Sequence, residues 1–167
     1  MIALRDIDKD NWVKCVMLNP DKNEQVSVVT KFVDSVAYSM VWAQMEEGII
    51  TKAICNDEEI IGFTMYGRCE EVQGIKIYSI LIDSKHQRMG YGRKVLNLIL
   101  DEINKMGSVK KVYLTFNPEN IKGKALYESI GFENTGLRVR LPAEVIKEIY
   151  GENYKVENDE FLYCLKL

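Results

Sequence analysis

Between Ile75 and Met106 the spacing of the apolar residues changes its period across one short turn. Ile75 to Ile82, IKIYSILI, is rich in β-branched and aromatic residues and reads as a strand. After Asp83 the polar stretch SKHQRMGYG leads into RKVLNLILDEINKM, in which positions 92, 96, 99, 103 and 106 share one helical face. A strand, a glycine-bearing turn and an amphipathic helix in succession require a sheet for the strand and a covering layer for the helix. The chain is therefore of the α/β class.

The other segments extend that frame. Met1 to Ile7 reads as a first strand, and Asn11 to Leu18 as a short helix closed by Pro20 in the polar loop PDKNEQ. From Val26 to Met45 the residues Val29, Phe32, Val33, Val36, Ala37, Met40 and Val41 recur at helical spacing, and Gly48 marks the end. Ile49 to Cys55 and Ile60 to Arg68 are strands flanking the turn NDEE. With Ile75 to Ile82 they form an antiparallel meander, since short turns force reversal. Lys110 to Phe116, Phe132 to Leu141 and Glu160 to Leu167 add three strands, Ile121 to Ile130 adds a helix, and Pro142 to Tyr150 another with proline in its first turn. The expectation is a mixed, mostly antiparallel sheet of seven strands flanked by about four helices. At 167 residues, without repeat or low-complexity linker, residues 1–167 read as one domain.

Composition narrows the function. The net charge of −3, from 25 acidic and 22 basic residues, gives no general pull toward nucleic acid or anionic membrane. No stretch approaches the roughly 18 consecutive apolar residues of a membrane span. The opening MIALRDIDKD meets acidic residues at once and does not read as a signal peptide, so a cytoplasmic protein is expected. Cys15, Cys55, Cys69 and Cys164 lie apart from one another, and His86 is the only histidine. No metal is expected.

The turn itself points to an anion. Gly90 and Gly92 let the backbone approach a bulky group, and the first helical turn offers unpaired N–H groups at the positive end of the helix dipole. Arg88, Arg93 and Lys94 crowd the same end, where cations oppose the dipole. An anion that completes the site explains them. The third glycine of a dinucleotide fingerprint is missing, and no Walker lysine follows.

Ile82 to Arg93 resembles motif A of the GNAT N-acetyltransferase superfamily: Gln87, Gly90 and Gly92 meet its Gln/Arg-x-x-Gly-x-Gly/Ala pattern. Asn117 to Phe132, NPENIKGKALYESIGF, resembles motif B. The opening residues Asn11, Trp12, Leu18, Gln25, Val29, Ser35 and Ala37, and then Asp57, Ile61, Gly62, Phe63, Tyr66 and Gly67, resemble the bacterial spermine/spermidine acetyltransferases of that superfamily. Val28 stands where an aromatic is common, and the segment from Pro142 to Asn158 is longer than the usual last hairpin.

The resemblance implies acetyl-CoA as co-substrate and a small amine as acceptor. It places the CoA diphosphate on Gln87, Arg88, Met89, Gly90, Tyr91, Gly92 and Arg93, and the pantetheine arm on Ile80, Leu81 and Ile82. Asn120 contacts that arm, and Lys124 faces phosphate. Acetyl transfer needs a polarised carbonyl, assigned to a backbone N–H near Leu81, and a proton for the departing thiolate, assigned to Tyr127. The family often carries alanine where this chain has Gly123. The general base is open: Tyr78, Ser79 and Ile80 offer no carboxylate, so water relayed to Glu24, Glu46 or Glu160 takes the role, with Glu160 and Tyr78 beside the acceptor.

A polyamine such as spermidine or spermine, attacking directly in a ternary complex, is the leading expectation, and it calls for a narrow acidic channel. An aminoglycoside, an amino acid or a protein N-terminus is the alternative, a wide groove favouring the last. A non-catalytic CoA-binding module is a further one. Relatives of this kind are often homodimers, so the last strand, FLYCLKL, either fills the core or pairs across subunits.

Overall fold

Two tight turns lay down half of the sheet. Asn56 pairs with Glu59 across a two-residue turn in which Asp57 takes a left-handed conformation (φ 53°), and Cys69 pairs with Gly74 across a turn that ends on left-handed Gln73 (φ 49°). Chain reversal at both sites makes β2 (Ile49–Asn56), β3 (Glu59–Cys69) and β4 (Gly74–Ile82) antiparallel, and β1 (Ile2–Asp6), far earlier in the chain, pairs antiparallel with β2. The computed structural model describes residues 1–20, 35–107, 109–140, 143, 153, 155 and 159–167.

Helix α3 (Tyr91–Lys105) then carries the chain to β5 (Lys111–Phe116), which lies parallel to β4. A parallel neighbour needs such a crossover. After α4 (Ile121–Ile130), β6 (Glu133–Val139) forms the outer edge, and β7 (Glu160–Lys166) inserts between β5 and β6, antiparallel to both. The order is β1-β2-β3-β4-β5-β7-β6, the mixed and mostly antiparallel seven-stranded sheet that the sequence predicts. Both edges of β7 are occupied by this chain's own strands, so it has no free edge to pair across subunits, and of FLYCLKL it is Leu162 and Tyr163 that are buried in the core.

Each face of the sheet has its own core. On one, Val95, Leu96, Ile99 and Ile103 of α3 pack on Ile54, Tyr66, Ile77, Val112 and Phe116. On the other, Cys15 of α1 (Trp12–Val16) and Val36 of α2 (Val36–Met45) pack on Ala53, Cys55, Phe63 and Met65. Alternation along a strand sends Ile54 to the first core and its neighbours Ala53 and Cys55 to the second.

The helix predicted over residues 26–45 does not run through. Ser35 is extended (φ −71°, ψ 143°), and its Oγ accepts the Tyr38 N–H at 3.1 Å. That is an N-cap, and a cap residue ends regular helix before it. Residues 26–34 lie outside the described residues. So does the helix predicted over residues 142–150 apart from Ala143. Among the described residues, no helix is long and apolar enough to cross a membrane.

Candidate active site

Strands β4 and β5 share only three pairs, Ile75–Ile77 with Val112–Leu114, although β4 continues to Ile82 and β5 to Phe116. Beyond Ile77 the two strands part. A bulge sits at the fork: Met65 pairs with Ser79 and Tyr66 with Ile77, so Tyr78 is an extra residue in β4. The extra residue inverts the alternation. Ile75 and Ile77 belong to the α3 core, and after the bulge Ile80 does so while Leu81 joins the opposite core.

Backbone direction follows from one bond. Asp83 N–H donates to the Ile61 carbonyl at 2.9 Å, on the β3 side. By alternation Leu81 and Ser79 also turn their backbone groups to β3, and Ile80 and Ile82 turn theirs into the fork. The strand residue whose N–H opens toward the fork beside the bulge is thus Ile80, in place of Leu81.

The turn after β4 is tied from within. The Asp83 carboxylate accepts N–H groups of Lys85 and Asn19, each at 3.0 Å, and Ser84 N–H donates to the Asn19 carbonyl at 2.8 Å. Gln87 Nε2 donates to the Pro20 carbonyl at 2.8 Å and to that of Ile82 at 3.0 Å. Its side-chain amide therefore holds the turn's shape. Next to it His86 Nε2 stands 3.2 Å from the Glu59 carboxylate.

Arg88 (φ 65°) and Gly90 (φ 75°) are both left-handed, and α3 begins on Gly90 with no side-chain cap and no acidic residue in its first turn. A helix that opens so barely presents free N–H groups to an anion. The two glycines differ in use. A β-carbon on Gly90 would meet nothing within 4 Å, whereas one on Gly92 would lie 3.2 Å from Leu126 Cδ2. Gly90 serves the turn, and Gly92 lets α3 approach α4. Arg88 and Met89 are exposed beside the helix start. Arg93 Nη2 donates to Ser129 Oγ at 2.6 Å, and Tyr91 Oη accepts from Asn56 Nδ2 at 3.5 Å.

Asn120 caps α4, its Oδ1 accepting the Gly123 N–H at 2.9 Å. Lys124 Nζ stands 3.9 Å from Glu128, which also accepts from the Tyr163 hydroxyl at 2.9 Å. Tyr127 packs its ring 5.2 Å from that of Phe116, at the free end of β5, and 6.3 Å from Phe132. Burial first, and then the Glu160 charge, push the Tyr127 phenol above its ordinary range, so it stays protonated.

Glu160, at the start of β7, also lines a broad cleft of about 1480 Å³ together with Glu46, Tyr78 and Trp42. The Tyr78 ring meets Trp42 edge-on at 5.0 Å, and its hydroxyl donates to the Arg68 carbonyl at 3.2 Å. Burial raises the Tyr78 phenol, helped by Cys69 and then by the charges of Glu71 and Glu46. Arg68, Lys76, Lys110, Lys111 and Arg140 line the same cleft. It is broader and more mixed in charge than the channel expected for a polyamine. Behind burial, Glu71 and Glu46 also act on Tyr78, over whose ring Lys76 Nζ stands at 5.3 Å, and Glu160 acts on Tyr127. Glu24 lies outside the described residues.

Sequence reasoning missed the bulge and the cleft residues Trp42, Arg68 and Glu71. The bulge left a signal, since the isoleucines step from 75 and 77 to 80 and 82, changing parity across Tyr78.

A family model described as acetyltransferase (GNAT) family matches residues 7–132. The ribosomal protein bS18-alanine N-acetyltransferase of Escherichia coli (strain K12) is 37% identical over 62 residues, covering 37% of this chain and 41% of that protein. The spermine/spermidine N(1)-acetyltransferase of Bacillus subtilis (strain 168) is 27% identical over 84 residues, covering 47% of this chain and 55% of that protein. The chain thus matches about half or less of the length of these relatives. Among solved structures, the spermidine N-acetyltransferase from Vibrio cholerae in complex with CoA and spermine superposes with a TM-score of 0.69 at 18% identity, covering 99% of this chain and 95% of that one. At that identity the likeness is one of fold.

Proposed function

This chain belongs to the acetyltransferase (GNAT) family, and from that premise we propose that it transfers the acetyl group of acetyl-CoA to a primary amine, a polyamine such as spermidine or spermine first among them. The observation that carries the reading is the fork between β4 and β5, which opens beside an uncapped helix start and lies close to a protonated tyrosine.

Acetyl-CoA supplies an activated thioester carbonyl. The N–H groups at the start of α3, with Arg88 at hand, fit a diphosphate, and the backbone groups that Ile80 and Ile82 turn into the fork fit the amides of a pantetheine arm. Ile80 N–H is placed to polarise the carbonyl, a task in which one well-aimed donor is worth about 100- to 1000-fold in rate. Tyr127 keeps a proton for the leaving sulfur, since its phenol remains neutral at working pH. Glu160, whose charge acts on Tyr127, and Glu46, whose charge acts on Tyr78, are the carboxylates that accept the ammonium proton through water.

The Glu160 charge that acts on Tyr127 favours a cationic amine at the reacting end. The cations elsewhere in the cleft favour a second reading, the amino terminus of a polypeptide whose own carboxylates they would meet. Free-thiol release from acetyl-CoA, measured with spermidine, spermine, an aminoglycoside, amino acids and short peptides, separates the two. Acceleration by peptides and by no polyamine moves the assignment to the second. Acetyl-CoA binding without acceleration by any amine leaves a CoA-binding module.

A further inference from the structure

We propose that Thr64 is a positioning residue for acetyl transfer, holding the Ser79–Ile80 peptide so that Ile80 N–H points into the fork. The inference rests on the acetyltransferase reading and deepens it. Thr64 is fully buried on β3, directly opposite Ile80 in the register, and alternation along the strand turns its side chain away from the core of Phe63 and Met65, to the face of Ile61 and Tyr66. Its Oγ1 donates to the Ser79 carbonyl at 2.8 Å. A fully buried hydroxyl is unfavourable unless it is hydrogen-bonded, and valine would fill the same volume without that need. What threonine adds is the bond.

That bond falls at a particular place. The β3–β4 ladder is irregular at Tyr78, one residue before Ser79, and a bulge leaves its neighbouring peptides less firmly held than a regular ladder does. The Ser79 carbonyl and the Ile80 N–H belong to the same planar peptide and point to opposite sides. Anchoring the carbonyl on the β3 side fixes the N–H on the other, where β5 has turned away. Small errors of aim at such a donor are costly in rate.

The test compares Thr64→Val, which keeps the shape without the hydroxyl, with Thr64→Ser, which keeps the hydroxyl. Single-turnover acetyl transfer, the affinity for CoA, and the infrared carbonyl stretch of bound, isotope-labelled acetyl-CoA are measured for each. Thr64→Val is expected to slow transfer about tenfold or more and to move the stretch to higher frequency, with CoA affinity unchanged, because CoA lacks the acetyl carbonyl. Thr64→Ser is expected to restore both rate and stretch. If Thr64→Val does not fold, Thr64→Ala makes the same comparison.

Wild-type rate and stretch in the hydroxyl-free variant would overturn the role. So would equal losses in both variants, or a loss of CoA affinity in step with rate, either of which indicates packing. A wild-type protein that binds no acetyl-CoA overturns the acetyltransferase reading itself, and Thr64's role with it. An active wild type with an unaffected Thr64→Val removes the Thr64 role alone.

Discussion

Gly123 faces Asn120 so closely that a β-carbon on residue 123 would lie 2.5 Å from Asn120 Nδ2 and 2.9 Å from Oδ1, the oxygen that caps Gly123 N–H. The cap of α4 and the glycine inside its first turn are therefore one feature. Asn120→Ala is expected to cost about 1 kcal/mol. Gly123→Ala alone is expected to bring none of the roughly 0.5–1 kcal/mol that alanine normally adds to a helix, because it displaces the cap. In the Asn120→Ala background that gain should appear. Denaturant unfolding of the four proteins measures the coupling, and equal effects of Gly123→Ala in both backgrounds would contradict it.

The glycines of the turn separate in the same way. Gly90→Ala places a side chain in open space at φ 75°, so its expected cost is left-handed strain of roughly 1–2 kcal/mol, together with weaker acetyl-CoA binding. Gly92→Ala presses on Leu126 and should leave the affinity for acetyl-CoA near that of the wild type. Calorimetric titration with acetyl-CoA distinguishes them, and the reverse order of effects would count against the assignment.

Tyr127→Phe tests the acid. Acetyl transfer should fall by about 100-fold or more, with acetyl-CoA affinity unchanged, since the ring contacts with Phe116 and Phe132 remain. Burial and Glu160 raise the phenol above its ordinary value of 10.0, so Tyr127 should impose no loss of rate as pH rises from neutrality toward that value. A rate-limiting deprotonation below pH 9 that disappears in Tyr127→Phe would refute this. The full wild-type rate in the variant would too.

What the sequence made legible was local. Gln87, Gly90 and Gly92 mark the turn because glycine spacing and a following amphipathic helix are read within a dozen residues, and Asn120 and Tyr127 stand on one short helix. What it hid depends on distant partners. Gln87 is bonded to Pro20 and Arg93 to Ser129, partners far off in sequence that no local spacing announces. The choice between Leu81 and Ile80 needs to know on which side β3 lies. β7 inserts between two strands that precede it, an order that local periodicity does not encode. At Ser35 a legible cap was outvoted by apolar spacing that runs on through it.

Cys15 links pH to stability. Its thiol is pushed up to about 11, chiefly by burial and then by Cys55 and Asp8. A folded-state value above the ordinary 9.0 means that its contribution is complete below pH 9 and is lost as pH rises toward 11. Melting temperatures across that window should fall more steeply for the wild type than for Cys15→Ala. Parallel curves would reject the linkage.

The proposed transfer runs directly from acetyl-CoA to the amine. The most direct measurement incubates the protein with acetyl-CoA carrying an isotope-labelled acetyl group and with spermidine, and follows the label by mass spectrometry. The expected result is label on a spermidine nitrogen and none on the protein. Label found only in acetate, formed at the rate of spontaneous thioester hydrolysis, while acetyl-CoA is bound and every other amine tried is equally inert, would contradict it.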